Sequence, residues 1–335
     1  NIGSIFMDFE KIYAKLPDSI KYNNYILDFF LKIPKKLQNL NKKSNQLNSQ
    51  NQLLDLLFTS CDIKIKGNLR NVQLLYIELL RFVDNVCKKH DIDYWLEGGT
   101  LIGAVRHGGF IPWDDDIDII MFRKDYEKFK KVALSKPNNK YNFLTSKTKD
   151  YFFLFSKIML KNTIFEEWWV NQVDFDLGID IDIFVLDKVP DNKLKRFFHV
   201  KRCRVLDRLL AMSVIKFKGY PPLVQALANT GHAFLKLFNI SRESLFDKTH
   251  KLLDKYNDKD CECVCDISAL HHPQIYKISD FKPGKTIMFE DVEVHCPNNL
   301  DSILTQIYGD YMKLPPESER YNHITQKIDF GPYED

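Results

Sequence analysis

Four aspartates crowd the stretch 95–121, WLEGGTLIGAVRHGGFIPWDDDIDIIM, and the last of them stands inside an apolar run. Asp114, Asp115 and Asp116 are consecutive, and Asp118 follows between Ile117 and Ile119. That order fits no amphipathic helix well. On a strand, where side chains alternate, Asp116 and Asp118 project from one face. Two carboxylates on one face, unrelieved by a basic residue, repel each other. A divalent cation resolves the repulsion, and oxygen ligands beside phosphate suit magnesium or manganese. Asp114 and Asp115 also admit a plainer reading as solvated acids of a turn. Asp116 and Asp118 resist it, because an unpaired charge within an apolar strand is costly.

A second acidic strand repeats the pattern in Asp180-Ile181-Asp182-Ile183-Phe184-Val185. Asp180 and Asp182 share a face, so the spacing alone leaves both open as ligands. Asp182, set among Ile181, Ile183 and Phe184, is the preferred one. Two such strands side by side predict a three-carboxylate cage of Asp116, Asp118 and Asp182. The Gly98-Gly99 turn ahead of the first strand lets backbone amides approach a phosphate closely, with Thr100 next to it. Such parts serve phosphoryl-type transfer, in which metal ions neutralise phosphate oxygens and a carboxylate activates an attacking hydroxyl. Arg106 offers a bidentate fork to phosphate and Lys157 a point charge; structural salt bridges are the rival reading for both. His107 is a loop residue or a base. Trp113 is expected to pack beneath the acidic loop. Trp168 and Trp169 stack on a sugar or base, or pack in the core or a lid. Arg320 and His323 close over phosphate, or only tie down the C-terminal end.

Of the 335 residues, 44% are hydrophobic and 28% charged, enough for one large domain or two smaller ones. A formal net charge of +3 gives no strong field, so no nucleic-acid partner is expected. No apolar run is long enough to span a bilayer. Seven cysteines without a secretion signal point to reduced thiols and a cytoplasmic location. Cys261, Cys263 and Cys265 would lie on one face of a strand. Core packing is the expectation there, since zinc sites favour two-residue gaps. The chain opens on Asn1 rather than Met; Met7 reads as a natural start, with an excised fragment as the rival.

Residues 7–35 read as helical up to Pro34. Residues 35–58 are polar, with Leu40, Leu47 and Leu54 seven apart. Ser44 and Asn51 spoil the complementary seam, so a surface helix or connector is expected, able at most to support a weak dimer. We therefore divide the chain into an N-terminal helical extension, 1–60, and a catalytic domain, 61–335. Within the latter, 71–89 is a strong amphipathic helix. Strands are expected at 93–96, 117–122, 152–159 and 180–185, and helices at 101–105, 124–134, 193–218 and 300–308. A hairpin turns at Glu290-Asp291.

The order of Gly-Gly, alternating acids and a second acidic strand resembles the nucleotidyltransferase fold, related to the DNA polymerase beta palm. More specifically, GGTLIGAVRHGGFIPWDDDIDI resembles the signature of the LicD family. That family includes bacterial phosphocholine transferases and is similar to the fukutin-related polyol-phosphate transferases. KIMLKNT (157–163), DIDIFVLD (180–187) and YGDYMKLPPESER (308–320) resemble its further blocks, with Val185 where a proline is usual. The likeness covers roughly 70–330 and implies an α+β fold, a mixed sheet flanked by helices. It further implies a CDP-alcohol donor, a phospho-alcohol such as phosphocholine moving to a sugar hydroxyl of a cell-surface glycan or its precursor, and CMP as leaving group. Asp116, Asp118 and Asp182 would be catalytic metal ligands. Gly98, Gly99, Thr100, Arg106, His107 and Lys157 would hold substrate. The alcohol itself (choline, ethanolamine, glycerol or ribitol) stays open. Rival functions are a true nucleotidyltransferase, which leaves a nucleotide on its acceptor, and a catalytically silent scaffold. Finally, the basic stretch 193–218 would lie on an anionic membrane bearing a lipid-linked glycan acceptor, placing the protein at the inner membrane face. A core-packed helix with a solvated basic side is the alternative.

Overall fold

The computed structural model describes residues 69–135, 139–167, 177–215, 222–268, 273–316, 320 and 325–333. The proposed N-terminal extension with its dimer contact, the 60/61 boundary, Trp168, Trp169, Lys216, Lys218 and His323 lie outside the described residues.

The first elements are α1 (Leu69–His90), β1 (Trp95–Leu96), α2 (Gly98–His107), β2 (Asp118–Phe122), α3 (Arg123–Ser135), β3 (Tyr141–Leu144), β4 (Ser156–Leu160), β5 (Ile164–Glu167) and β6 (Asp180–Lys188). Then come α4 (Lys193–Val214), α5 (Pro222–Leu237), α6 (Arg242–Leu253), β7 (Cys263–Asp266), β8 (Ile275–Lys277), α7 (Ile278–Phe281), β9 (Lys285–Phe289), β10 (Val292–Cys296), α8 (Leu300–Tyr308) and β11 (Thr325–Asp329). Seven strands form one mixed sheet in the order β1-β2-β6-β4-β3, with β7 and β8 extending from β6. The pairing of β2 with β6 is parallel and the rest are antiparallel. Helices flank the sheet, as an α+β nucleotidyltransferase-like domain requires. Strands β9 and β10 form the hairpin expected around Glu290, and β5 pairs separately with β11.

Alternation explains the sheet's two faces. Ile119, Met121, Ile181, Ile183 and Val185 are buried in one cluster with Val72, Tyr76, Leu79, Leu80 and Val83 of α1. Those α1 positions recur at helical spacing, so one stripe of α1 seals the apolar side of β2 and β6. Burying each such aliphatic side chain contributes roughly 1.5–3 kcal/mol. The opposite face carries the acids at one end and Ile120, Phe184 and Leu186 beyond them.

Two expectations need correction. The strand predicted at 152–159 is shorter, beginning at Ser156. Tyr151, Phe152, Phe153, Leu154 and Phe155 are all buried, but they lie ahead of the residues that pair with β3 and β6. They stack instead, with Phe153 and Phe155 centred 4.6 Å apart and Phe155 4.8 Å from Phe184. The cysteine triplet is split: Cys261 precedes β7, while Cys265 is buried against Cys203 of α4. Among the described residues no helix is long and apolar enough to cross a membrane.

One buried ion pair fixes β6 to α3. Arg123 donates to the Asp187 carboxylate through Nε at 2.8 Å and Nη2 at 2.7 Å, and Asn257 donates to the same group at 2.7 Å. Breaking a buried pair strands the remaining charge, a loss of about 3–5 kcal/mol. We predict that Arg123→Met destabilises the protein by this amount in urea unfolding. Adding Asp187→Leu should return a large part of the loss; equal additive losses would contradict the pair.

Candidate active site

The parallel register sets Asp118 of β2 directly beside Asp182 of β6, and Ile119 beside Ile183. Lateral neighbours in a sheet share a face, so both carboxylates rise opposite the isoleucine core. The Asp182 amide donates to the Ile117 carbonyl at 3.1 Å, which carries the pairing one residue ahead of β2 and brings Asp116 to the same end. The row extends in both directions. On the β1 side the Glu97 amide donates to the Asp118 carbonyl at 3.0 Å. On the β4 side Lys157 is the register partner of Asp182. Glu97, Asp118, Asp182 and Lys157 thus cross four strands in one line.

Crowding perturbs these acids. Burial pushes Asp118 well above the usual carboxylate range, and the neighbouring charges of Asp116, Asp182 and Asp114 push it further; Lys157 opposes them. Burial also raises Asp182 to about 8, against the pull of Lys157. Glu97 rises to about 8 through burial and the nearby Asp266 carboxylate, and its Oε2 is buried without a hydrogen-bond partner among the described residues. Sequence reasoning passed over Glu97. Its signal was an acid just before Gly98, but only the β1–β2 pairing shows that it joins the row.

Lys157 does not reach outward. Its Nζ donates to Asp180 Oδ1 at 2.6 Å and also to Asp182 Oδ1. The ammonium therefore neutralises the acids of β6, the structural-pair reading of this lysine. The same geometry separates the two β6 acids: Asp182 lies beside Asp118, whereas Asp180 is buried against Lys157.

Gly98 and Gly99 form the first turn of α2, three residues earlier than the expected helix, because the Leu101 amide already donates to the Glu97 carbonyl at 3.1 Å. Gly98 has φ +54, where a side chain is strained, and a Cβ there would stand 3.5 Å from Asp118 Oδ2. A Cβ on Gly99 would stand 3.1 Å from Asp114 Oδ2. The α2 N-terminus thus abuts the acids, and its positive dipole end favours negative charge. Thr100 is buried, and its Oγ1 accepts the Asp118 amide at 2.9 Å, locking helix to strand.

Arg106 and His107 sit at the far end of α2. Arg106 donates from Nε to His107 Nε2 at 2.9 Å and from Nη1 to the Tyr311 carbonyl at 2.8 Å. Arg106 thereby holds the segment after α8. Arg320 closes the same side, its guanidinium carbon 5.5 Å above the Trp113 ring and its Nε donating to the Pro315 carbonyl at 2.9 Å. Trp113 itself packs half-buried on the main core, as expected. Asp115 departs from the solvated-turn reading: its parity is opposite to Asp116 and Asp118, and it is fully buried. Asp114 is half-buried, with its carbonyl accepting Gln73 Nε2 at 2.9 Å.

The donor set is all hard oxygen and mutually repelling, the condition that a hard divalent cation relieves. Among the described residues, however, no group of three or more His, Cys, Asp and Glu side chains converges as a ligand set. Asp182 is paired with Lys157.

A pH dependence follows. Glu97 binds its proton more tightly folded, at about 8, than at its ordinary 4.5. The unfolded chain ionises first as pH rises, so this contribution is present below about pH 4.5 and is lost toward pH 8. In chelator-treated protein, Glu97→Gln should remove part of the fall in melting temperature across that window. A wild-type-minus-variant difference that stays flat with pH would refute the assignment.

The chain is similar to known proteins. A family model described as LicD/FKTN/FKRP, nucleotidyltransferase domain, matches residues 91–201, which contain every acid of the row. The lipopolysaccharide cholinephosphotransferase LicD of Haemophilus influenzae is 31% identical over 273 residues, covering 78% of this chain and 98% of that protein. The ribitol 5-phosphate transferases FKRP of Mus musculus and Homo sapiens are each 48% identical over 48 residues, 14% of this chain and 10% of theirs. Given nearly full coverage of the Haemophilus protein and the acid pair within the matched segment, this chain belongs to the LicD family.

Proposed function

We propose that the protein moves a phospho-alcohol, phosphocholine or a close analogue, from a CDP-alcohol to a sugar hydroxyl of a cell-surface glycan or its precursor. The chain is a phosphotransferase of LicD type, in keeping with relatives named for cholinephosphate and ribitol 5-phosphate transfer. The observation that carries the chemistry is the Asp118–Asp182 register beside the α2 N-terminus.

In this reading Asp116 and Asp118 would hold magnesium or manganese, with Asp182 as a third oxygen donor in competition with its Lys157 pair. The ion would neutralise the donor's phosphate oxygens. The amides at Gly98 and Gly99 would meet a phosphate oxygen at the helix N-terminus. Asp182 would either hold the ion or take the proton of the acceptor hydroxyl. The acceptor oxygen bonds to the phosphorus bearing the alcohol, the bond from that phosphorus to the CMP oxygen breaks, and CMP leaves. Lys157 keeps Asp180 from adding a further unbalanced charge. Thr100 keeps the strand carrying Asp118 docked on α2.

The test is a screen of CDP-alcohols with sugar acceptors, reading CMP release and acceptor mass, with and without magnesium. We expect metal-dependent gain of a phospho-alcohol. Gain of a nucleotide would identify a true nucleotidyltransferase instead, and failure with every donor would favour a scaffold. Asp118→Asn should lower turnover by at least about a hundredfold. It should leave the melting temperature unchanged or higher, because it relieves like-charge repulsion.

A further inference from the structure

Helix α4 carries a surface that neither the acid site nor the core uses. Its inward side is settled, with His199, Cys203, Asp207 and Leu210 buried. Cys203 and Leu210 join Leu245 of α6 and Cys265 of β7 in one cluster. Its outward side is apolar where solvent would be expected. Leu194 is 66% exposed, Phe197 and Phe198 56% each, and Val205 49%. At 100° per residue, Leu194, Phe198, Lys201 and Val205 fall on one line, with Phe197 beside it. Lys193, Lys195, Lys201 and Arg202 are exposed along the same stretch. The lone acid of the helix, Asp207, is buried on the other side. Phe197 and Phe198 meet edge to face at 5.4 Å, and the Lys201 ammonium lies 5.5 Å from the Phe197 ring centre.

A single exposed leucine is ordinary. Four large apolar side chains on one side of a helix, two of them adjacent aromatics and with only cations exposed beside them on that helix, are not ordinary. A protein partner of mixed charge would call for acids as well as bases on this rim. A surface that is apolar within and uniformly anionic at its boundary matches both features together. We propose that the first half of α4, from Lys193 to Val205, docks on an anionic lipid bilayer. The helix lies in the interfacial plane, the aromatics and aliphatics enter the headgroup boundary, and the four cations meet lipid phosphates. The structure narrows the basic stretch read from the sequence: beyond Val205 the helix turns into the core, with Leu206 and Leu209 half-buried and Leu210 fully so.

The test is flotation of the full chain with vesicles of phosphatidylcholine alone or mixed with phosphatidylglycerol. It reads binding only, so it stands or falls apart from the proposed chemistry. We expect flotation with the anionic vesicles and release by salt. Lys201→Gln with Arg202→Gln should weaken partitioning about fivefold per charge removed. Phe197→Ser with Phe198→Ser should weaken it by more than about tenfold, with melting unchanged because both rings are exposed. The proposal is overturned if the wild type ignores anionic vesicles or if either double variant floats like the wild type. It is equally overturned if the phenylalanine variant leaves flotation intact and instead turns a dimer into a monomer in light scattering.

Discussion

Asp118 and Asp182 are held side by side by backbone pairing that neither carboxylate favours. The parallel register of β2 and β6 is set by Ile119, Ile183 and their neighbours packing under α1. Core burial on one face therefore supplies the free energy that forces like charges together on the other. The surrounding elements temper that repulsion. Lys157 arrives from β4, and the positive end of α2 is locked alongside through Thr100. A site assembled this way is preorganised: its charges stand in place before any ligand arrives.

The acidic face has a graded character. Two residues beyond Asp182 stands Phe184, its ring tilted against Phe155, and two beyond Asp118 stands Ile120. The charged end therefore opens onto an apolar floor rather than onto bulk water. Low local dielectric strengthens each remaining charge interaction there. That is why a modest set of side chains shifts proton affinities so far.

Period-two alternation was enough to place Asp118 and Asp182 on one end of a sheet, because each sits between isoleucines that are buried. Register was not legible. Asp180 and Asp182 have the same parity, and only strand pairing ranks them. Glu97 escaped for the same reason, since its importance comes from β1 lying next to β2. Asp115 was obscured by its own neighbours, for in a run of consecutive acids parity decides burial and polarity does not. Lys157 was recognised as a site residue, but its partners are two strand-mates that composition cannot name. The aromatic run at 151–155 imitates a strand because β-propensity counts residue types and does not show where a partner strand begins.

The small β5–β11 ribbon ties together segments made far apart in time. About 160 residues separate Glu167 from Thr325, which a ribosome adds in roughly 10–30 s at ordinary elongation rates. Through that interval β5 presents an open edge to the cell, and unpaired edges recruit foreign strands. The four-residue length of β5, two of them glutamates, limits that hazard. Nascent chains of this protein are thus guarded by a short and charged edge until the partner strand emerges.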